Sequence, residues 1–187
     1  MPMKQVEEAE LAARIAFDNP WWREPGGIDK QYRDWPERDY LPSFQRLVTN
    51  KQVHRAVILL GPRRVGKTVM VYQTIQRLIT EGMPPKKILY ISLETPLYIG
   101  LSLEQLLSLF RSLHSHKSDD ELYIFFDEIQ YFRDWEIHLK SMVDSYKNIR
   151  FVATGSAAAA LKLKSQESGA GRFTEFMLPL LNRLLQI

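Results

Sequence analysis

No cysteine occurs among the 187 residues, which excludes disulfides and thiolate zinc sites and favours a reducing setting. No apolar run approaches the roughly 20 residues that a membrane-crossing helix needs. The start, Met1-Pro2-Met3-Lys4-Gln5-Val6-Glu7-Glu8, turns acidic where a secretory signal turns apolar. A cytoplasmic protein without a membrane partner is expected. Charge of one sign is also scarce: 25 Lys and Arg against 22 Asp and Glu leave +3, so charge gives nucleic-acid binding no support. With 45% hydrophobic residues the chain can form one α/β core plus a short appendage.

The most informative stretch is Ala56-Val57-Ile58-Leu59-Leu60, followed by Gly61-Pro62-Arg63-Arg64-Val65-Gly66-Lys67-Thr68 and then Val69-Met70-Val71. A strand, a glycine-bounded loop and a helix start form the context that the G-x-x-x-x-G-K-[ST] phosphate-binding pattern requires. Gly61 and Gly66 let backbone N–H groups turn toward phosphate oxygens, and the helix adds its positive end. Gly61 through Val69 are the candidate nucleotide contacts. Lys67 is expected to reach the β- and γ-phosphates, and Thr68 to ligate Mg²⁺. The guanine-reading pattern Asn-Lys-x-Asp is missing; the nearest string, Asn50-Lys51-Gln52-Val53, lacks the Asp.

A second stretch, Leu122-Tyr123-Ile124-Phe125-Phe126, reads as a strand buried on both faces and ends in Asp127-Glu128. Ligands of open parallel sheets sit beyond the carboxyl ends of the strands, where these two carboxylates emerge. Asp127 is the candidate partner of Mg²⁺ beside Thr68, and Glu128 the candidate base for the water that attacks the γ-phosphate. A further strand, Arg150 to Thr154, ends in Thr154-Gly155-Ser156. Thr154 is a candidate hydrogen-bond partner of the attacking water or of a γ-phosphate oxygen, whereas Ser156 reads at least equally well as a helix cap. Arg172, after a polar, glycine-rich stretch from Lys162 to Gly171, is either a solvated charge or a phosphate ligand acting in cis or from a neighbouring subunit.

Elsewhere the pattern predicts a helix over 3–17, stopped by Asn19-Pro20, and an irregular aromatic stretch through Trp21, Trp22, Tyr32 and Trp35 that clamps this arm to the core. Residues 1–37 are read as the arm and 38–187 as the core. Tyr40 or Leu41 is an alternative contact for a nucleotide base. Further expectations are a helix from Pro42 to about Asn50, a first strand from Val53 to Leu60, a helix with Val71, Ile75, Leu78 and Ile79 inward, and a strand over Ile88–Leu93. Ser102-Leu103-Glu104-Gln105 reads as a capping box before a helix whose stripe is Leu103, Leu106, Leu107, Phe110 and Leu113. His114 and His116 could ligate a metal, but in a polar loop without further ligands they are read as solvated. A helix with Trp135, Leu139, Met142 and Val143 inward, a helix from Ala157, a strand over Phe173–Leu178 and a helix from Leu180 to Leu185 complete the reading.

Taken together, Gly61 to Thr68, Tyr123-Ile124-Phe125-Phe126-Asp127-Glu128-Ile129-Gln130 with Trp135-Glu136, Ala153-Thr154-Gly155-Ser156 and Glu167 to Phe173 resemble the AAA-type ATPase domain of bacterial and archaeal P-loop proteins that often carry a nuclease-like C-terminal domain. The resemblance covers about residues 38 to 180. It implies a three-layer α/β P-loop fold of the additional-strand type, with a parallel sheet of about five strands in the order 5-1-4-3-2. It also implies ATP with Mg²⁺ and carries over Lys67, Thr68, Asp127, Glu128 and Thr154 as nucleotide, metal, base and sensor positions, with Arg172 matching the family's arginine. The family pattern continues with a Ser-Phe pair and a second domain, whereas this sequence reads Leu181-Asn182-Arg183 and stops at Ile187, so a shortened gene is expected. The leading reading is a slow ATPase that acts as a nucleotide switch for a partner or a missing domain, the partner being another protein or a second copy of the chain in a homo-oligomer. The alternatives are a small-molecule kinase and an ATP-gated DNA-binding module.

Overall fold

The continuous apolar runs become strands covered on both faces, which is why they show no in-out alternation in sequence. In the computed structural model, which describes residues 8–23, 27–165 and 171–180, these are β1 (Ala56–Leu60), β2 (Ile88–Ser92), β3 (Leu122–Asp127), β4 (Ile149–Gly155) and β5 (Phe173–Met177). Neighbours pair in parallel, in the order β2-β3-β4-β1-β5. Counted from the other edge this is the 5-1-4-3-2 order of the additional-strand P-loop fold, with β4 inserted between β1 and β3.

The helices are α1 (Glu8–Asp18), α2 (Lys30–Arg33), α3 (Leu41–Thr49), α4 (Lys67–Thr80), α5 (Leu103–His114), α6 (Trp135–Ser145) and α7 (Ala157–Ser165). Strand side chains alternate between two faces. Ile58, Leu60, Ile124, Phe126 and Phe151 meet α1, α5, α6 and α7 through Ile15, Phe110, Leu139 and Ala159. Val57, Leu59, Phe125 and Val152 meet α3 and α4 through Leu41, Phe44, Met70 and Ile75. Each fully buried Leu, Ile or Phe stabilises this three-layer arrangement by about 1.5–3 kcal/mol relative to exposure. Among the described residues no helix is long and apolar enough to cross a membrane.

The arm covers the edge of β2. Asn19, fully buried, donates from Nδ2 to the Tyr90 carbonyl at 2.8 Å and accepts the Tyr90 N–H at 2.7 Å. The indole N–H groups of Trp21 and Trp22 donate to the Ile88 carbonyl at 3.2 and 2.8 Å. Open strand edges invite pairing with other chains; here side chains occupy the ladder positions that a further strand would fill.

Several boundaries differ from the sequence pattern. The helix predicted over 3–17 is seen as Glu8–Asp18, and residues 1–7 lie outside the described residues. The aromatic stretch, irregular by its sequence pattern, contains α2, started by Asp29, whose carboxylate accepts the Gln31 N–H at 2.8 Å. β1 begins at Ala56, because residues 51–53 turn and leave Val53 exposed. Leu113 is exposed and Leu109 takes its place in the core. The helix predicted from Leu180 to Leu185, past Leu180 itself, and the part 166–170 of the polar stretch lie outside the described residues.

His114 and His116 are half-buried against aromatic rings. The His114 ring stands edge-on to Trp22 at 4.4 Å, and both histidines contact the Phe110 ring, at 5.4 and 4.7 Å. Burial, followed by the neighbouring His116 and Lys86, lowers the His114 pKa to about 4. Among the described residues no cluster of three or more His, Asp or Glu is arranged to hold a metal ion.

Candidate active site

β1 delivers the chain into the glycine-bounded loop. A Cβ on Gly61 would stand 2.7 Å from the Leu178 carbonyl oxygen, so only glycine fits. Arg64 and Gly66 have φ of 61° and 94°, left-handed conformations that fold the loop back before α4 begins at Lys67. The first N–H groups of that helix have no partner within it and carry its positive end. Lys67 is 4% exposed, and its ammonium donates to the carbonyls of Gly61 at 3.1 Å and Pro62 at 2.9 Å. Arg38 braces the loop from outside, donating to the Val65 carbonyl at 2.8 Å and the Pro179 carbonyl at 3.0 Å.

The pleat of β3 turns Tyr123, Phe125 and Asp127 to the α4 side of the sheet. Asp127 is 3% exposed and takes three hydroxyl donors. Thr68 donates to Oδ2 at 2.8 Å, Tyr90 donates to the same oxygen at 2.7 Å, and Thr154 donates to Oδ1. Thr154 in turn accepts the Glu128 N–H at 2.9 Å. A buried carboxylate needs such donors to offset its lost hydration. Burial, reinforced by the Asp127 charge, pushes the Tyr90 phenol far above its ordinary pKa, so it remains a donor.

Glu128 has φ 55° and ψ 51°. This left-handed conformation is uncommon outside glycine and turns the chain sharply at the strand end. Gln130 holds both sides of the turn: Nε2 donates to the Glu128 carboxylate, and Oε1 accepts the Ser156 N–H at 3.2 Å. The Ser156 carbonyl accepts the Ala160 N–H at 3.2 Å, which puts Ser156 at the start of α7. Arg63 donates to the Tyr131 hydroxyl at 3.3 Å, tying the loop to the segment after β3.

Lys67, Thr68, Asp127, Glu128 and Thr154 thus converge at the carboxyl ends of β1, β3 and β4. Arg172 does not join them. It precedes β5, where its backbone carbonyl accepts the Ala56 N–H at 2.9 Å and its side chain pairs with Asp144 of α6. Five strand residues, about 16 Å at 3.3 Å each, separate that end of the sheet from the loop. Leu41 is fully buried beneath α4 and unavailable to a base, while Tyr40 is 42% exposed under the Arg38 guanidinium.

Tyr90 and Arg38 enter the site without a signal in the sequence reading, and Gln130, which belongs to the Tyr123–Gln130 run, gains a role only here. Tyr90 stands in an apolar run where it reads as core, although a phenol inside such a run signals that a partner must exist. The Thr68 hydroxyl and Asp127 carboxylate are hard oxygen donors 2.8 Å apart, the donor chemistry that Mg²⁺ takes together with water and phosphate oxygens. The residues fit that ion.

Comparison with known proteins bears on the family. A family model described as an AAA domain (AAA_14) matches residues 53–183. The chain is 30% identical over 107 residues to an uncharacterised protein of Methanocaldococcus jannaschii (MJ1637), covering 57% of this chain and 22% of the relative. A second protein of that archaeon (MJ1544), also uncharacterised, is 32% identical over 127 residues, covering 68% of this chain and 26% of the relative. An uncharacterised protein of Haemophilus influenzae is 27% identical over 132 residues, covering 71% and 33% respectively. The chain therefore spans between about a fifth and a third of the length of these curated relatives. The phosphate-loop strand, the inserted β4 and the family match together carry the assignment: the chain belongs to the AAA-domain family of P-loop ATPase-like proteins.

Proposed function

We propose that the protein binds ATP with Mg²⁺ and hydrolyses it to ADP and phosphate, as a slow nucleotide switch for a protein partner. The observation that carries this reading is that the Lys67 ammonium, the Thr68–Asp127 hydroxyl-carboxylate pair and Glu128, whose backbone Thr154 holds and whose carboxylate Gln130 holds, stand at one end of the sheet. Lys67 exchanges its carbonyl partners for β- and γ-phosphate oxygens, and the loop N–H groups hold the remaining phosphate charge. Thr68 and Asp127 would hold Mg²⁺, which would supply positive charge against the phosphates. Glu128 orients and polarises the attacking water, steadied by Gln130. Thr154, already bonded to Asp127 and to the Glu128 backbone, links the two carboxylate positions. An acid-base group at a strand end beside the phosphate loop fits water as the acceptor better than a second substrate.

The test is phosphate release and ATP binding on three proteins. Wild type should turn over ATP without added acceptor, Lys67→Ala should lose ATP binding, and Glu128→Gln should keep binding while losing hydrolysis by about 10²-fold or more. Hydrolysis at the wild-type rate by Glu128→Gln would sink the assigned base, and turnover that appears only with an added acceptor would replace the ATPase with a kinase.

A further inference from the structure

We infer that Tyr90 is a positioning residue for Asp127, and that the N-terminal arm reaches the candidate metal site through it. Two hydroxyls share one carboxylate oxygen: Thr68 at 2.8 Å and Tyr90 at 2.7 Å, both on Oδ2. Thr68 is the Mg²⁺ ligand of the proposed function, on which this inference rests: a lone pair of its hydroxyl takes the ion while its proton stays on Asp127 Oδ2. Tyr90 is the second donor on Oδ2, and Thr154 donates to Oδ1. Donors from α4, β2 and β4 thus hold the carboxylate in one orientation, and Tyr90 is the one that the N-terminal arm supports from behind.

The geometry suits a fixed support. In register, Tyr90 faces Phe125 and Ser92 faces Asp127, so the phenol reaches one step forward along the neighbouring strand. Its ring is 4% exposed, lies 4.7 Å from the Tyr72 ring of α4, and Tyr72 in turn stacks on Tyr32 at 4.6 Å. The Tyr90 backbone is held on its outer side by the Asn19 amide, through both its N–H and its carbonyl. Strand edges normally leave such groups to solvent. Here one arm residue fixes the strand position from which the phenol is aimed. Hydrogen-bond partners behind a metal ligand typically govern affinity by about 10- to 100-fold.

The experiment reads binding of a fluorescent ATP analogue in EDTA and across a Mg²⁺ titration, with melting followed by circular dichroism. Tyr90→Phe keeps the ring and removes only the hydroxyl. Its half-saturating Mg²⁺ should rise by about 10-fold, while binding in EDTA stays at the wild-type level. Tyr123→Phe, whose hydroxyl contacts Glu121 at the far end of β3, should titrate as wild type. Asn19→Gln leaves the site's groups in place but displaces the amide on Tyr90, and should move the Mg²⁺ requirement in the same direction by a smaller factor. An unchanged Mg²⁺ titration in Tyr90→Phe overturns the inference; should that variant fail to fold, an unchanged titration in Asn19→Gln does so. A wild-type protein whose nucleotide binding ignores Mg²⁺ would instead overturn the proposed function, which keeps the two failures apart.

Discussion

Asn19 and Tyr90 form a two-way pair in which the amide of one residue and the backbone of the other each donate and accept, at 2.8 and 2.7 Å. The Asn19 Nδ2 also donates to the Ile15 carbonyl at 2.8 Å, so one side chain ends α1 and closes the edge of β2.

Removing that side chain leaves a buried N–H and two carbonyls short of partners. Each buried orphan costs about 1–3 kcal/mol, so Asn19→Ala should destabilise the protein by roughly 3 kcal/mol or more. Urea unfolding should show a lower midpoint with an unchanged slope. A loss below about 0.5 kcal/mol, the range of ordinary surface substitutions, would mean that the arm does not hold β2.

Gln130 should matter to the chemical step and little to binding. Its amide spans the Glu128 carboxylate and the Ser156 N–H, and misplacing a reacting group by about 1 Å can cost about 10²-fold. Gln130→Ala is expected to slow phosphate release by about 10- to 100-fold with ATP affinity within about twofold of wild type. A parallel loss of affinity would assign Gln130 to the shape of the loop instead of to Glu128.

The histidine at the arm gives a pH signature. Folding lowers the His114 pKa from 6.5 to about 4, so between these values the unfolded chain binds more protons. Stability contributed by neutral His114 is complete above the unfolded value and is lost as pH falls through that window. The melting temperature should therefore drop between about pH 6.5 and pH 4, and the drop should be shallower in His114→Leu, which cannot titrate. Identical pH profiles in the two proteins would remove His114 as the cause.

The layers were legible because continuous apolar runs and helical stripes report burial directly. Ile58, Ile124 and Phe151 are buried as their runs require, and Leu139 and Met142 as their spacing requires. Leu113 was misread because a stripe fixes which side of a helix is apolar and not where the partner surface stops. The half-buried state of the histidines is not legible in sequence, because their polar neighbours hide the Phe110 ring that both contact and the Trp22 ring that His114 contacts in space.

By itself the sequence determined the phosphate loop, the strand that ends in Asp127-Glu128 and the strand that ends in Thr154, since each motif is local and its residues are set a few positions apart. Only the tertiary structure decided that Tyr90 shares an oxygen of Asp127 with Thr68, that Gln130 bridges to Ser156, and that Arg172 stands at the other end of the sheet beside Asp144. These relationships depend on strand order and register, which bring residues far apart in the chain to one point or hold them a strand's length apart. A motif fixes which chemical groups are present; the packing of the sheet fixes which of them can meet.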